Sequence, residues 1–330
     1  MIFGKNLTKE IQEVLQDKNT FAVTDENVMR LYPELFAAER THILTAGEEQ
    51  KRFDSVSDIC ALLISGGADR SAKLVAVGGG VVGDITGFAA SCYMRGIEWV
   101  GIPTTLLALC DSSIGGKTGL NFKGLKNILG AFHSPKEVYL SSHFVQTLDE
   151  REFICGIGEV IKTAALSEEL FDLLLKNEKA LFEKDEKALE KLIKACAKFK
   201  DAIVRQDPYE KKGLRKILNY GHTAGHAFET SDKHRLSHGE YILHGMRIEN
   251  RLFDDIIDPT FFVQMDKLIN TALNGTKTEF DIEASITAAM TDKKNQNDKI
   301  SVMAIIKPSE YQEHFFAPQE FRRKLHDALK

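Results

Sequence analysis

The stretch 218–229 reads LNYGHTAGHAFE and sets His222 and His226 four residues apart. At about 3.6 residues per turn, the two imidazoles leave one face of a helix, one turn apart. His238 follows in LSHGE. Clustered imidazoles hold divalent metals, and they also occur as ordinary core or capping histidines, so a pair alone does not separate the two readings. Glu159, in GIGEVIK, adds a carboxylate on a run that is otherwise apolar or small apart from Lys162. Beside two of the three histidines it completes a His–His–Glu set with an open coordination position, as a catalytic zinc requires. Such a metal polarises a hydroxyl or carbonyl and stabilises alkoxide character. The plainer reading of Glu159 is an exposed side chain, or an ion-pair partner of Lys162 three residues on.

Two loops carry a different chemistry. The apolar run 73–77 leads into GGGVVGD at 78–84, and a helix is expected from Asp84. A strand, then G-x-G-x-x-G, then a helix lets backbone N–H groups approach a pyrophosphate at the helix N-terminus. The alternative is a tight turn that binds nothing. The ribose-binding acid expected about 20 residues further on has no good candidate, because Glu98 begins a strand instead of ending one. A dinucleotide, if bound, is therefore expected to be held differently from the usual pattern. The loop 111–127, DSSIGGKTGLNFKGLKN, contains Gly116-Lys117-Thr118, but Asp111 stands where a P-loop needs glycine, so an NTPase reading fails. Lys117, Lys126 and Asn127 still suit a phosphate or carboxylate, with solvated lysines as the alternative. Arg215 and Asn219 lie four apart, one turn before His222, and are expected to project near the metal face; Lys200 and Glu210 precede them.

The elements that must position these groups change in texture near residue 148. Before it, the apolar runs 20–24, 42–45, 73–77, 99–102 and 137–140 read as buried strands, alternating with helical candidates such as 54–65. That alternation predicts an α/β sheet, largely parallel. After it, 151–166, 168–182, 186–203, 221–230 and 261–273 carry helical spacing, and 300–306 is the one strand-like run. The Lys/Glu-rich stretch 177–200 reads as a solvated helix face. A chain of 330 residues is long for one core and suggests two domains.

A net charge of −5 gives no global field for nucleic acid or an anionic membrane, so neither is expected as a partner, and anionic ligands need local lysines and arginines. The five cysteines are scattered, without CxxC, which favours reduced thiols and a cytoplasmic location. The opening residues MIFGKNLTKE lack the apolar core of a signal peptide. The most apolar stretches are broken by Asp84 or Pro103, well short of about 18 residues, so no membrane span is expected.

Several stretches follow in order between about residues 47 and 294: GGGVVGD with GFAAS, YMRG, PTTLLA, DSSIGGKTG, KN-x-x-GAF, TLDEREF, G-x-GEVIK, LNYGHT-x-GHAFE, HGE and DKK. Together they resemble the 3-dehydroquinate synthase family, within the sugar-phosphate cyclases. The resemblance implies a Rossmann-like, NAD-binding α/β domain over 1–147. It implies a mostly α-helical metal- and substrate-binding domain over 148–330, with the active site in the cleft. By family match, Glu159, His222 and His238 are ligands of Zn2+ or Co2+, and His226 stands beside the substrate as the candidate for proton transfer. NAD would be met by Gly47, Glu48 and Lys51 near its adenosine end. Gly80, Val81, Val82, Gly83 and Asp84 would meet the pyrophosphate and nicotinamide. Thr104, Thr105, Asp111, Phe144, Thr147, Lys117 and Lys126 complete that set. The substrate's anionic groups would be met by Arg95, Lys117, Asn127, Lys162, Lys200, Arg215, Asn219 and Lys293 of the DKK run. The arginine matching Arg95 reaches across a dimer interface in the family, which implies a homodimer.

The implied reaction takes 3-deoxy-D-arabino-heptulosonate 7-phosphate through transient oxidation, β-elimination of phosphate, re-reduction, ring opening and aldol closure. Hydride transfer needs the dinucleotide, alkoxide stabilisation needs the metal, and a phosphate with a carboxylate needs the cationic residues. Two places depart from the family pattern. DPYEKKGLR has one residue more than expected between Glu210 and Arg215, and Tyr241-Ile242-Leu243-His244 is bulkier than the usual run after HGE. A cyclase making an inosose or valiolone is the near rival; Lys200, Arg215 and Asn219 favour the carboxylate-bearing substrate. A polyol dehydrogenase of the glycerol dehydrogenase type would accumulate NADH, and a non-catalytic NAD-binding protein would need neither the metal set nor the anion set.

Overall fold

The computed structural model describes residues 1–232, 235–275, 278–290 and 299–329. In chain order the first elements are β1 (Ile2–Gly4), α1 (Thr8–Gln16), β2 (Thr20–Asp25), α2 (Glu26–Leu31), β3 (Thr41–Leu44), α3 (Phe53–Ser65), β4 (Lys73–Gly78), α4 (Gly80–Cys92), β5 (Glu98–Pro103), β6 (Lys117–Phe122), β7 (Leu125–Phe132) and β8 (Glu137–Ser141). There follow α5 (Glu150–Ala165), α6 (Glu168–Phe182), α7 (Glu186–Gln206), α8 (His222–Ser231), α9 (His238–Leu252), α10 (Pro259–Ala272), α11 (Ile282–Met290), β9 (Ile300–Lys307), β10 (Glu310–Phe316) and α12 (Pro318–Ala328). By their contacts these divide into two units, Met1–Leu148 with Lys184–Tyr209, and Asp149–Glu183 with Glu210–Lys330.

The first unit is built on a six-stranded parallel sheet in the order β1-β8-β5-β4-β2-β3. Side chains alternate across a strand, so a strand covered on both faces is apolar at every position. In β4, Leu74 and Ala76 join Ile59, Leu63 and Ile85 of α3 and α4 in one core cluster. Val75 and Val77 face the other way, into a cluster with Ile11, Leu15, Tyr139 and Phe144. Helix α4 begins at Gly80, not at the expected Asp84. Glycines give a helix start no propensity signal, and a Cβ on Gly79 or Gly80 would press against Thr105 or Ser112 here. The stretch expected as a second open loop instead forms a short π-helical turn at Ala108–Ser112 and the antiparallel β6–β7 hairpin. Gly119 and Gly130 face each other there, each so close to the opposite strand's backbone that a Cβ would not fit. The stretch expected to be solvated is so only on one side. Helix α7 buries Leu189, Leu192, Ile193, Cys196 and Lys200.

Among the described residues, the second unit is helical apart from the β9–β10 hairpin. Helices α5, α8 and α9 cross where glycines remove the side chains between them. A Cβ on Gly158 of α5 would stand 2.5 Å from the Gly239 carbonyl oxygen. A Cβ on Gly239 would stand 2.6 Å from the carbonyl carbon and Cα of Cys155. On the other side of α9, a Cβ on Gly245 would stand 2.7 Å from the Gly225 nitrogen. Among the described residues, no helix is long and apolar enough to cross a membrane.

Candidate active site

The α5–α9 and α8–α9 crossings set each of the candidate histidines and the carboxylate beside a glycine. Glu159 follows Gly158, His238 precedes Gly239, His222 follows Gly221 and His226 follows Gly225. The result is a cluster in which one nitrogen each of His222, His226 and His238 lies within 4.8 Å of the others. The ring centroids are 5.1 Å apart for His222–His226, 5.5 Å for His222–His238 and 5.7 Å for His226–His238. Glu159 is 1% exposed. Its Oε1 lies 3.6 Å from Nε2 of His222 and 3.4 Å from Nε2 of His238. Ligand atoms at the corners of a tetrahedron with bonds of about 2.0–2.1 Å are about 3.3–3.4 Å apart, so these separations suit a shared ion.

The second ring nitrogens settle which atoms face inward. Nδ1 of His222 is 3.1 Å from the Tyr220 carbonyl oxygen, and Nδ1 of His238 is 3.2 Å from Oε2 of Glu229. A ligating imidazole characteristically donates its other N–H to a carbonyl or carboxylate, which leaves the Nε2 lone pair for the metal. The donor set therefore fits a divalent ion. Burial opposes the charge of Glu159, but Lys162 and His238 outweigh it and hold the carboxyl far below the usual range. Burial likewise opposes a charge on His238, and hydrogen bonding to Glu159 and Glu229 still pushes its imidazole up to about 9.

Lys162 is 1% exposed, with its Nζ 2.5 Å from Oε2 of Glu159, so the ion-pair alternative for these two residues is realised alongside the metal geometry. Arg215 and Asn219 do not lead into His222 on a continuous helix. They lie on a 3-10 turn, Leu214–Asn219, that ends before Gly221, whose φ of +75° starts α8. Arg215 is buried, with Nε 3.2 Å from Oε1 of Glu210. Lys293 lies outside the described residues.

In the first unit, Gly78, Gly79, Gly80, Gly83 and Asp84 line a groove with Ser112, Ser113 and Lys117. Lys51, 7% exposed, joins three of the expected contacts. Its Nζ lies 2.7 Å from Asp84, 3.6 Å from Glu48 and 3.2 Å from Oδ1 of Asn127. Burial works against the Lys51 charge, yet Asp84 and Glu48 raise its pKa; burial raises that of Asp84. Asn127 adopts φ +49° at the start of β7, and its N–H donates to Oδ1 of Asn121 at 2.9 Å. Gly47 has φ +134°, a conformation other residues rarely adopt. Val81 and Val82 lie on the first turn of α4, Val82 buried. Thr104 is buried and its N–H donates to the Gly78 carbonyl at 3.0 Å; Oγ1 of Thr105 accepts from the Ala108 N–H at 3.2 Å. Asp111 sits on the π-helical turn and pairs with Lys200 of α7 at 2.8 Å, so Lys200 belongs with the first unit. Phe144 packs edge-on against Tyr32, whose hydroxyl is 2.9 Å from Oγ1 of Thr147. Lys117 and Lys126 are exposed. Arg95 is also exposed, at φ +71° beside Met94 at φ +49°.

Two contributors escaped the sequence reading. Glu229 orients His238, and Glu249 anchors the start of α8. Only the seven-residue spacing of Glu229 from His222, two helical turns, pointed to the first; nothing pointed to the second.

Comparison with known proteins matches residues 41–155 to the 3-dehydroquinate synthase N-terminal family and residues 156–295 to the 3-dehydroquinate synthase C-terminal family. The chain is 38% identical over 319 residues to a 3-dehydroquinate synthase of Alkaliphilus metalliredigens, covering 93% of this chain and 89% of that one. It is 36% identical over 299 residues to that of Clostridium tetani, covering 88% and 80%. Among solved structures it is similar to a 2-epi-5-epi-valiolone synthase from Streptomyces hygroscopicus with NAD+ and Zn2+ bound. That match has a TM-score of 0.87 and 25% identity, covering 99% of this chain and 94% of that one. A 2-deoxy-scyllo-inosose synthase complexed with carbaglucose-6-phosphate, NAD+ and Co2+ shares the fold, with a TM-score of 0.82, 24% identity and coverage of 99% and 96%.

Proposed function

This chain belongs to the 3-dehydroquinate synthase family, and from that premise we propose how its own residues divide the work of the reaction. The enzyme converts 3-deoxy-D-arabino-heptulosonate 7-phosphate to 3-dehydroquinate and inorganic phosphate, using NAD and a divalent metal, zinc or cobalt. When bound, NAD would take up and return a hydride at one ring carbon, and the metal would lower the pKa of the hydroxyl on that carbon.

Glu159, His222 and His238 hold the metal. The observation that carries this is the orientation of the two imidazoles, each with Nδ1 engaged and Nε2 turned toward Glu159. Lys162 keeps Glu159 ionised, as a ligand must be. His226, in the same cluster but outside the ligand set, would take the proton of the hydroxyl that is oxidised. The start of α4, from Gly80 to Asp84, receives the NAD pyrophosphate and nicotinamide. Gly47, Glu48, Lys51, Thr104, Thr105, Asp111, Lys117, Lys126, Phe144 and Thr147 complete the cofactor contacts. Open space beside Gly83 and the Lys51–Asp84 pair at the groove support that placement. Arg95, Lys117, Asn127, Lys162, Lys200, Arg215, Asn219 and Lys293 meet the substrate's carboxylate and phosphate. Functionally, 1–147 is the NAD-binding domain and 148–330 the metal- and substrate-binding domain. The enzyme acts in the cytoplasm as a homodimer, in which the exposed Arg95 serves the other subunit's site.

Metal-replete protein with NAD+ is expected to release inorganic phosphate from the heptulosonate phosphate without lasting NADH absorbance. Absence of phosphate release overturns the proposal. Accumulating NADH would mean a simple dehydrogenase.

A further inference from the structure

Helix α8 begins at His222, but its N-cap is Gly221, which has no side chain to satisfy the first N–H groups. The cap is supplied from α9. Oε2 of Glu249 accepts from the Gly221 N–H at 2.7 Å, and Oε1 accepts from those of Thr223 and Ala224, both at 3.0 Å. The bonded N–H groups lie on both sides of His222, so one carboxylate fixes the backbone around that residue. Asn250, next on α9, accepts from the Tyr220 hydroxyl at 2.7 Å and ties down the residue whose carbonyl orients the His222 ring. Glu249 is 1% exposed. A carboxylate is costly to bury without such partners. The N-terminus of a helix carries about half a positive charge, and a dication held by His222 at that same end adds to it. A buried anion there offsets both.

We propose that Glu249 is a positioning residue of the metal centre, holding His222 in register and supplying the negative charge that lets a cation sit at the start of α8. This rests on the reading of His222 as a ligand. The test uses the full chain, stripped of metal and titrated with Co2+ against a chelator while the visible absorption of the bound ion is recorded. Glu249→Gln keeps the shape but loses the charge, and turns an amide N–H₂ toward backbone donors. Its Co2+ Kd is expected to rise about 10- to 100-fold, the range for lost outer partners of metal ligands, with shifted absorption bands. Asp258→Ala removes the N-cap of α10, where Asp258 accepts from the Phe261 N–H at 2.9 Å, and serves as the control for a general loss of stability. Its Co2+ Kd is expected to stay within about twofold of wild type. Wild-type Co2+ affinity in folded Glu249→Gln overturns the proposal, as does equal weakening in Asp258→Ala. If Glu249→Gln does not fold, Glu249→Asp replaces it, keeping the charge but falling short of the three N–H groups; wild-type affinity there overturns the proposal as well. A wild-type protein that binds no stoichiometric Co2+ would instead remove the ligand reading, and this inference with it.

Discussion

Replacing Gly239 with alanine would separate two helices by a distance that the structure fixes. The new Cβ would stand 2.6 Å from both the carbonyl carbon and the Cα of Cys155, and closer still to the carbonyl oxygen. Ordinary contact begins at 3.4 Å, so α9 and α5 must part by at least 0.8 Å. The obstructing atoms are backbone, and no rotamer change relieves them. His238 sits one residue before the new methyl and Glu159 four residues after Cys155. The shift therefore falls on the 3.4 Å separation between Nε2 of His238 and Oε1 of Glu159, the atoms proposed to share the ion. Metal–ligand bonds tolerate about 0.2 Å, and misplacement near 1 Å costs about 100-fold in catalysis. Gly239→Ala is expected to keep its fold at a cost of about 1–3 kcal/mol. Its zinc affinity should fall by about 100-fold, with a parallel loss of phosphate release. Elemental analysis and competition with a chelator measure the zinc affinity, a phosphate assay measures the turnover, and thermal melting followed by circular dichroism measures the stability. A folded variant that binds zinc with wild-type affinity would refute the claim that this crossing sets the ligand spacing.

A Cβ on Gly83 meets nothing within 4 Å. Gly83→Ala should therefore stabilise α4 by about 0.5–1 kcal/mol and leave metal content unchanged while weakening NAD+ binding; unchanged NAD+ affinity by calorimetry would move the cofactor away from this turn. His238→Ala is expected to lower metal occupancy and His226→Ala to spare it while slowing phosphate release; equal metal loss in both would mean that the ligands are misassigned. His244 is 5% exposed, and burial, with the nearby Arg247 charge, lowers its pKa from 6.5 to about 4. The unfolded chain then binds the extra proton first, so this contribution is complete above pH 6.5 and falls by about 1.4 kcal/mol per unit down to pH 4. Denaturant melts should show His244→Leu losing about 3 kcal/mol less than wild type over that range; parallel pH profiles would contradict it.

How legible the molecule was depended on where each signal lives. The runs 73–77, 99–102 and 137–140 announced β4, β5 and β8 because a strand buried on both faces is apolar throughout. Helix α9 left no amphipathic period, since Tyr241, Ile242, Leu243, His244, Gly245 and Met246 are all buried in succession. The β6–β7 hairpin was hidden by its glycines and by exposed positions along β7, which read as loop. Residue type and spacing singled out His222, His226, His238 and Glu159 as candidates, and only the family resemblance divided them into ligands and a proton-transfer residue. Glu249 could not be singled out, because it acts on Gly221 across 28 residues of chain, a proximity that only the α8–α9 crossing creates.

Helix α7 has a consequence for how the protein is made. Its residues complete the first unit, although α5 and α6 of the second unit are translated before it. During synthesis the sheet can pair its strands once β8 has emerged, but Asp111 waits for Lys200, which arrives 89 residues later. A fragment ending at Leu148 would expose the surface that Leu189, Leu192 and Ile193 cover. Joining Lys184–Tyr209 to that fragment through a short linker should recover a soluble nucleotide-binding unit where simple truncation yields aggregate.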